Sequence, residues 1–338
     1  MWNLLIRLNK QLILAIPAMM LAGFLFGITT SPELAARLKI LILPFTFLMV
    51  YPMMVTLNIK NLQEGIKNVR LQVVAQLINF GLIPFVAYGL GIYFFPERPY
   101  LALGMLLAGL LPTSGMTISW TGFARGNMGA AINMTVIGLT LGSLVTPIYV
   151  QTLMGAKIEV NFLLILKQIA IIVLLPMFFG YLTRQWLINK HGAAHFKQKL
   201  APRFPALSSL GVISIVFVAI ALKARTIAGD PAMLGVIFVP LLIIYFLNFT
   251  LSTIVGKMFF PRGDAIALVY GTVMRNLSIA LAIAINAFGS GGAETALVIA
   301  LSYIIQVQAA AWYVKLTDTI FGAVAPLPQS QGKQKAAS

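Results

Sequence analysis

Apolar residues run along the chain in long unbroken stretches separated by short polar interruptions, rather than in stripes at helical or alternating spacing. Stretches of about 18 or more such residues are candidates for membrane-crossing helices, because a helix needs roughly 20 apolar residues to span the hydrocarbon layer. The pattern predicts helices over 11–28, 39–57, 71–95, 100–123, 128–153, 161–184, 208–224, 233–256, 265–288 and 295–320. The expectation is an all-α integral membrane protein of about ten transmembrane helices, with one transporter domain over 1–325 and a polar, disordered cytoplasmic tail over 326–338.

The stretch 185–206, with Lys190, His191, His195, Lys197, Lys199 and Arg203, is the longest polar interruption and reads as a loop dividing the chain into halves over about 11–155 and 160–320. Pro17 and Pro176 fall in the first helix of each half, and Leu77-Ile78-Asn79-Phe80 echoes Phe246-Leu247-Asn248-Phe249. Five helices per half is an odd number, so a duplicated half must be inverted in the membrane, as in many secondary transporters.

Composition strengthens the membrane reading. Only 9% of the 338 residues are charged and 59% are hydrophobic, against about 25% charged in a soluble domain. The net charge of +16 would suggest a nucleic-acid partner in a soluble protein, but here the basic residues lie between apolar runs. They report orientation instead: with the N-terminus inside, sixteen Lys and Arg fall in inner loops and six in outer ones. The lipid bilayer is thus the expected surroundings, a cell (inner) membrane with both termini cytoplasmic, and no nucleic acid is expected. Arg7 and Lys10 precede a first stretch too long for a signal-peptide core, so it reads as an uncleaved first span. The absence of cysteine excludes disulfides, thiolate metal sites and thiol catalysis.

Candidate chemistry lies where polar residues interrupt the spans, since such residues are costly in lipid and mark substrate paths. Arg275 stands mid-span in Val273-Met274-Arg275-Asn276-Leu277-Ser278, too deep to snorkel. The fourth span carries Leu111-Pro112-Thr113-Ser114-Gly115-Met116-Thr117, where proline removes a backbone donor and the helix should break. The expected substrate-binding set is Arg275, Thr113, Ser114, Thr117, Asn276 and Ser278, with Asn133, Thr135, Gln306 and Gln308 as ion ligands or supporting groups. For these last four, plain helix-to-helix hydrogen bonding is the competing reading. All eight acidic residues fall in loops or near span ends, so no carboxylate is evident for a proton or sodium site. His191 and His195 lack the H-E-x-x-H pattern, no metal site or phosphate-binding loop is present, and neither an enzyme nor a cofactor is expected.

Val50-Tyr51-Pro52-Met53-Met54-Val55, Trp120 followed by Phe123-Ala124-Arg125-Gly126-Asn127, and Leu281-Ala282-Ile283-Ala284 resemble the bile acid:sodium symporter superfamily, most of all its arsenite-efflux permease branch. The resemblance covers nearly the whole chain. It implies ten helices in two inverted five-helix repeats, a core and a panel domain, and crossing broken helices at spans four and nine. It also exposes departures. Arsenite permeases of this type carry a cysteine at the position of Thr113, and arsenite favours soft thiolates. In the sodium-coupled branch a Ser-Asn pair matches Thr117 and Ile118, and a Glu and a Gln match Gly271 and Arg275; only Thr117, Thr135 and Asn276 keep sodium-compatible chemistry.

The function expected is secondary transport of a small anionic or oxyanion-like solute by alternating access, with arsenical efflux one case. A sodium-coupled symporter of bile-acid-like or pantothenate-like anions is the alternative within the class, and a non-transporting receptor or scaffold the alternative outside it. The sequence leaves the coupling ion, proton or sodium, and the oligomeric state open.

Overall fold

The computed structural model describes residues 11–56 and 68–323. The expected tail over 326–338, and Arg7, Lys10, Lys60, Lys67, Lys333 and Lys335 of the orientation count, lie outside the described residues. The described residues are helical, with no strand. In chain order the helices are α1 (Leu12–Thr29), α2 (Pro32–Thr56), α3 (Val69–Phe94), α4 (Pro99–Leu110), α5 (Gly115–Phe123), α6 (Met128–Met154) and α7 (Phe162–His191). After them come α8 (Arg203–Gly229), α9 (Ala232–Phe259), α10 (Arg262–Val273), α11 (Leu277–Ala287) and α12 (Gly292–Phe321). Among the described residues seven helical runs are long and apolar enough to cross a membrane, and three shorter apolar helices, α1, α4 and α11, overlap parts of the predicted spans 11–28, 100–123 and 265–288.

Helices α1, α2, α7 and α8 pack side by side, α8 lying along both α1 and α2. The others form a second body in which α3 packs on α4, α9 on α10, and α12 on both α4 and α11. Helix α10 is buried on every side from Ala265 to Val273, as is almost all of α11. A helix apolar all round belongs in such an interior, whereas α7 and α9 turn Phe178, Phe179, Leu182, Phe246, Leu247 and Ile254 outward in the manner of lipid-facing surfaces.

Small residues set the spacing between the packed helices. A Cβ added to Gly211 in α8 would overlap the backbone of Met49 in α2, and one on Gly104 in α4 would lie 2.7 Å from Val298 Cβ in α12. Close backbone approach of this kind is the usual means of packing helices without a hydrophobic driving force between them. Asn79 and Asn248, the echoed pair, both donate to the last turn of α10, to the carbonyls of Gly271 (3.1 Å) and Thr272 (2.8 Å).

One expectation is corrected here. The stretch 185–206 is not an open loop: α7 continues through its basic residues to His191, Gly192 turns at φ +83°, and Ala193–His195 and a π-turn over Phe196–Leu200 lead into α8. Intrahelical hydrogen bonding needs no apolar face, and Lys190 and His191 sit favourably at the helix C-terminus. The sequence also gives no warning of the π-turns at Leu77–Leu82 and Ala170–Leu174 inside α3 and α7.

Candidate functional site

Two helices break where the polar residues predicted it, and the breaks lie against each other. Pro112 has no N–H to continue α4, and Ser114 restarts the chain as the N-cap of α5, its hydroxyl accepting from the Met116 N–H (3.2 Å). The Thr117 hydroxyl closes the cap by accepting from the Ser114 N–H (3.1 Å). Asn276 starts α11 in the same way, its Oδ1 accepting from the Ile279 N–H (3.2 Å). Between the breaks the extended segments pair as one antiparallel β-bridge, Pro112 opposite Arg275. The Thr113 N–H donates to Met274 O and the Asn276 N–H to Leu111 O, each at 2.7 Å. Unwound backbone at membrane depth survives only where its polar groups are satisfied, and each break satisfies the other.

Gln306 in α12 completes the crossing. Its Oε1 accepts from the Arg275 N–H (2.8 Å) and from the Tyr245 hydroxyl (3.0 Å), while its Nε2 donates to Arg275 O (3.2 Å). The Arg275 backbone is thereby held on both sides, and its side chain is left to point elsewhere. That side chain is 3% exposed, and neither Nη1 nor Nη2 has a hydrogen-bond partner among the described residues. Asn276 Nδ2 is likewise buried without a partner.

Both residues line a cavity of about 130 Å³ between the crossing and the α2–α8 layer. Ser114, Gly115, Asn276 and Ser278 bring the N-termini of α5 and α11 to its wall; Tyr303, Gln306, Met53, Thr56, Ser208 and Ser209 close it. The amide ends of two helices make its wall electropositive, and Arg275 also borders a separate space of about 10 Å³ beside Tyr245 and Asn248. The Ser278 hydroxyl and Tyr303 hydroxyl lie 2.5 Å apart.

A second, larger cavity of about 660 Å³ lies further along the same seam, lined by Lys39 of α2, Lys223 and Arg225 of α8 and Asn286 of α11. From Ser208 to Lys223 along α8 is roughly 22 Å at the helical rise. Buried Thr46 and Met49 separate the two cavities, with Asn286 Nδ2 donating to Thr46 Oγ1 at 3.3 Å.

Of the expected substrate set, Arg275, Ser114, Asn276 and Ser278 meet at the smaller cavity. Thr113 and Thr117 do not line it. Thr113 takes φ +64°, which turns its hydroxyl onto Pro112 O (2.6 Å) and toward the α6 carbonyls of Met134 and Thr135, and Thr117 is spent on the cap. Thr135 bonds Ala131 O within its own helix, and Gln308 is exposed on the outer face of α12, two residues from Gln306 and therefore on the opposite side. Asn133 is buried with Oδ1 unpartnered but lies off the cavity. Sequence reasoning missed Tyr303, Tyr245 and Ser208. The spacing of Tyr303 and Gln306, three apart and so on one helix face, was the available signal.

Residues 43–230 match the model of the Sodium Bile acid symporter family. The arsenical-resistance protein Acr3 of Alkaliphilus metalliredigens is 24% identical over 297 residues, 84% of this chain and 82% of that one. The uncharacterized protein YbaS of Bacillus subtilis is 26% identical over 234 residues (69% and 75%). Sodium/bile acid cotransporter 7 of Xenopus tropicalis is 21% identical over 235 residues (67% and 66%). With a family model covering more than half its length and an all-helical, lipid-compatible fold, this chain is a membrane transporter and belongs to the sodium bile acid symporter family.

Proposed function

We propose that the protein carries a compact oxyanion across the membrane by alternating access, the anion resting on Arg275 between the N-termini of α5 and α11. One observation carries this reading: a guanidinium, permanently charged, stands almost wholly buried beside a cavity with no partner for either Nη among the described residues. A buried charge persists in a fold only where something compensates it, and an anionic cargo is the compensation that also explains the cavity. Ser114, Ser278 and Asn276 supply further donors, whereas Thr113, Thr117 and the Thr135 carbonyl support the crossing from behind.

Size narrows the cargo. An apolar cavity of about 150 Å³ takes up benzene, so about 130 Å³ suits a solute of six or fewer heavy atoms. Drug-sized ligands occupy pockets of about 300 Å³ and more, so a bile-acid-sized cargo would extend out of this half-open cavity. Phosphate-like and arsenate-like oxyanions meet the size and the charge together.

The ten predicted spans fit two inverted repeats in one domain, with α1, α2, α7 and α8 as panel and the remaining helices as core. On this reading the cargo is passed between the two cavities as the core moves against the panel. Thermal-shift titration with arsenate, phosphate and a bulky carboxylate, each in sodium and in potassium, tests it. The small oxyanions should stabilise the wild type and not Arg275→Gln, in either cation. Stabilisation by the carboxylate in sodium alone would favour the sodium-coupled alternative.

A further inference from the structure

We propose that this carrier is an obligate anion-for-anion exchanger, because the charge that binds the cargo cannot be discharged when the cargo leaves. The inference rests on the oxyanion reading and adds a rule for the empty carrier.

A carrier performing net transport must return empty through a state in which its cavity is closed. In a cation-coupled carrier the positive charge arrives and leaves with the ion, so the empty site is neutral. Here the positive charge is Arg275 itself, covalently fixed at the crossing and unable to lose its proton. Among the described residues, which do not include Glu64, the acids that could neutralise it are committed elsewhere or lie away from the cavity. Asp230 pairs with Arg98 (3.1 Å), Glu294 with Lys223 (3.8 Å) and Asp318 with Arg262 (2.5 Å), while Asp264 accepts from Asn68 (2.6 Å) and Asn127 (2.7 Å). None of these acids lines the smaller cavity; nor does Glu33, Glu97 or Glu159. The two nearby phenols are occupied as well: Tyr245 donates to Gln306, and Tyr303 shares a hydrogen bond with Ser278.

Closing the seam around a vacant Arg275 therefore leaves a bare charge in a dry interior. Closing it around an oxyanion buries a near-neutral pair with hydrogen bonds already in place. The return step should be slower for the empty carrier by on the order of 100-fold or more. An anion released on one side must then be replaced by another before the core can swing back. Exchange of anions of equal charge moves no net charge, so its rate should be indifferent to membrane potential.

The test uses the full chain in proteoliposomes, with radiolabelled arsenate and phosphate as probes. Uptake is compared between vesicles preloaded with the unlabelled probe and vesicles loaded only with a bulky impermeant anion. Preloading should accelerate wild-type uptake by on the order of 100-fold, and an imposed potential should leave the accelerated rate unchanged. Arg275→Lys, which keeps a charge, should keep the requirement for internal anion; Arg275→Gln should lose it, whatever its absolute rate. Equal wild-type initial rates in both vesicle types would overturn the inference while leaving oxyanion transport intact. Failure of both probes to stabilise or cross with the wild type would instead overturn the oxyanion reading, and this inference with it.

Discussion

Arg275 and Gln306 divide the work at the crossing between backbone and side chain. Gln306 engages only the peptide groups of Arg275, so the guanidinium is placed without being neutralised. Replacing Gln306 by leucine leaves a buried N–H and a buried carbonyl unpaired and removes the acceptor of the Tyr245 hydroxyl. Each orphaned group costs about 1–3 kcal/mol, so Gln306→Leu should melt at a clearly lower temperature in detergent and bind oxyanions weakly. An unchanged melt would mean that the crossing does not depend on this amide. Arg275 was legible in the sequence because a charge in an apolar run has few innocent explanations. Tyr303 and Tyr245 were not, since an aromatic in a span reads as packing until its hydroxyl partner is seen. Thr113 was legible as a polar residue but not in its direction, which is decided by a positive φ that no sequence pattern announces for a β-branched residue.

At the scale of elements, the breaks of α4–α5 and α10–α11 depend on how closely α6 approaches them. A Cβ on Gly138 would lie 2.8 Å from Thr113 Oγ1 and 3.3 Å from Pro112 Cγ, so α6 presses on the first break directly. Gly138→Ala should push the extended segment off its bridge, lowering stability by about 1–3 kcal/mol and weakening oxyanion binding in the same preparation. Gly235→Ala serves as the control, because a methyl there meets nothing within 4 Å. Equal melting of the two variants would sink the idea that α6 positions the crossing. The first break was readable from Pro112 and the polar run after it, and the second from Arg275-Asn276. The continuation of α7 to His191 was not, because a cluster of basic residues looks the same on a solvated helix end as in a loop.

For the molecule as a whole, the lysine and arginine count predicts an orientation, while aromatic residues near helix ends mark a membrane surface without saying which. Lys190 lies over the Trp186 ring (4.9 Å) and Lys315 over the Trp312 ring (4.8 Å), the arrangement of amphipathic anchors at a membrane surface. The native chain has no cysteine, so single cysteines can be introduced into an otherwise silent background. Ala193→Cys should react with a membrane-impermeant maleimide only from the cytoplasmic side, and Glu97→Cys only from the opposite side. Labelling of both from one face would refute the proposed topology. The number of long apolar runs made the class readable at once. Which helices form the α1–α2–α7–α8 layer was not readable, because apolar runs of similar composition carry no address for their neighbours.

The β-bridge joining Pro112 to Arg275 also has a consequence for biogenesis. Each of its two hydrogen bonds takes one partner from either half of the chain, so the first break cannot be completed until residues beyond 276 have entered the membrane. Until then the Thr113 amide and the Leu111 carbonyl must borrow water or another protein as a temporary partner. The N-terminal half produced alone should accordingly be a substrate for membrane quality control. Co-produced with the half beginning near Gly192, it should be rescued, each fragment acting as the folding template of the other.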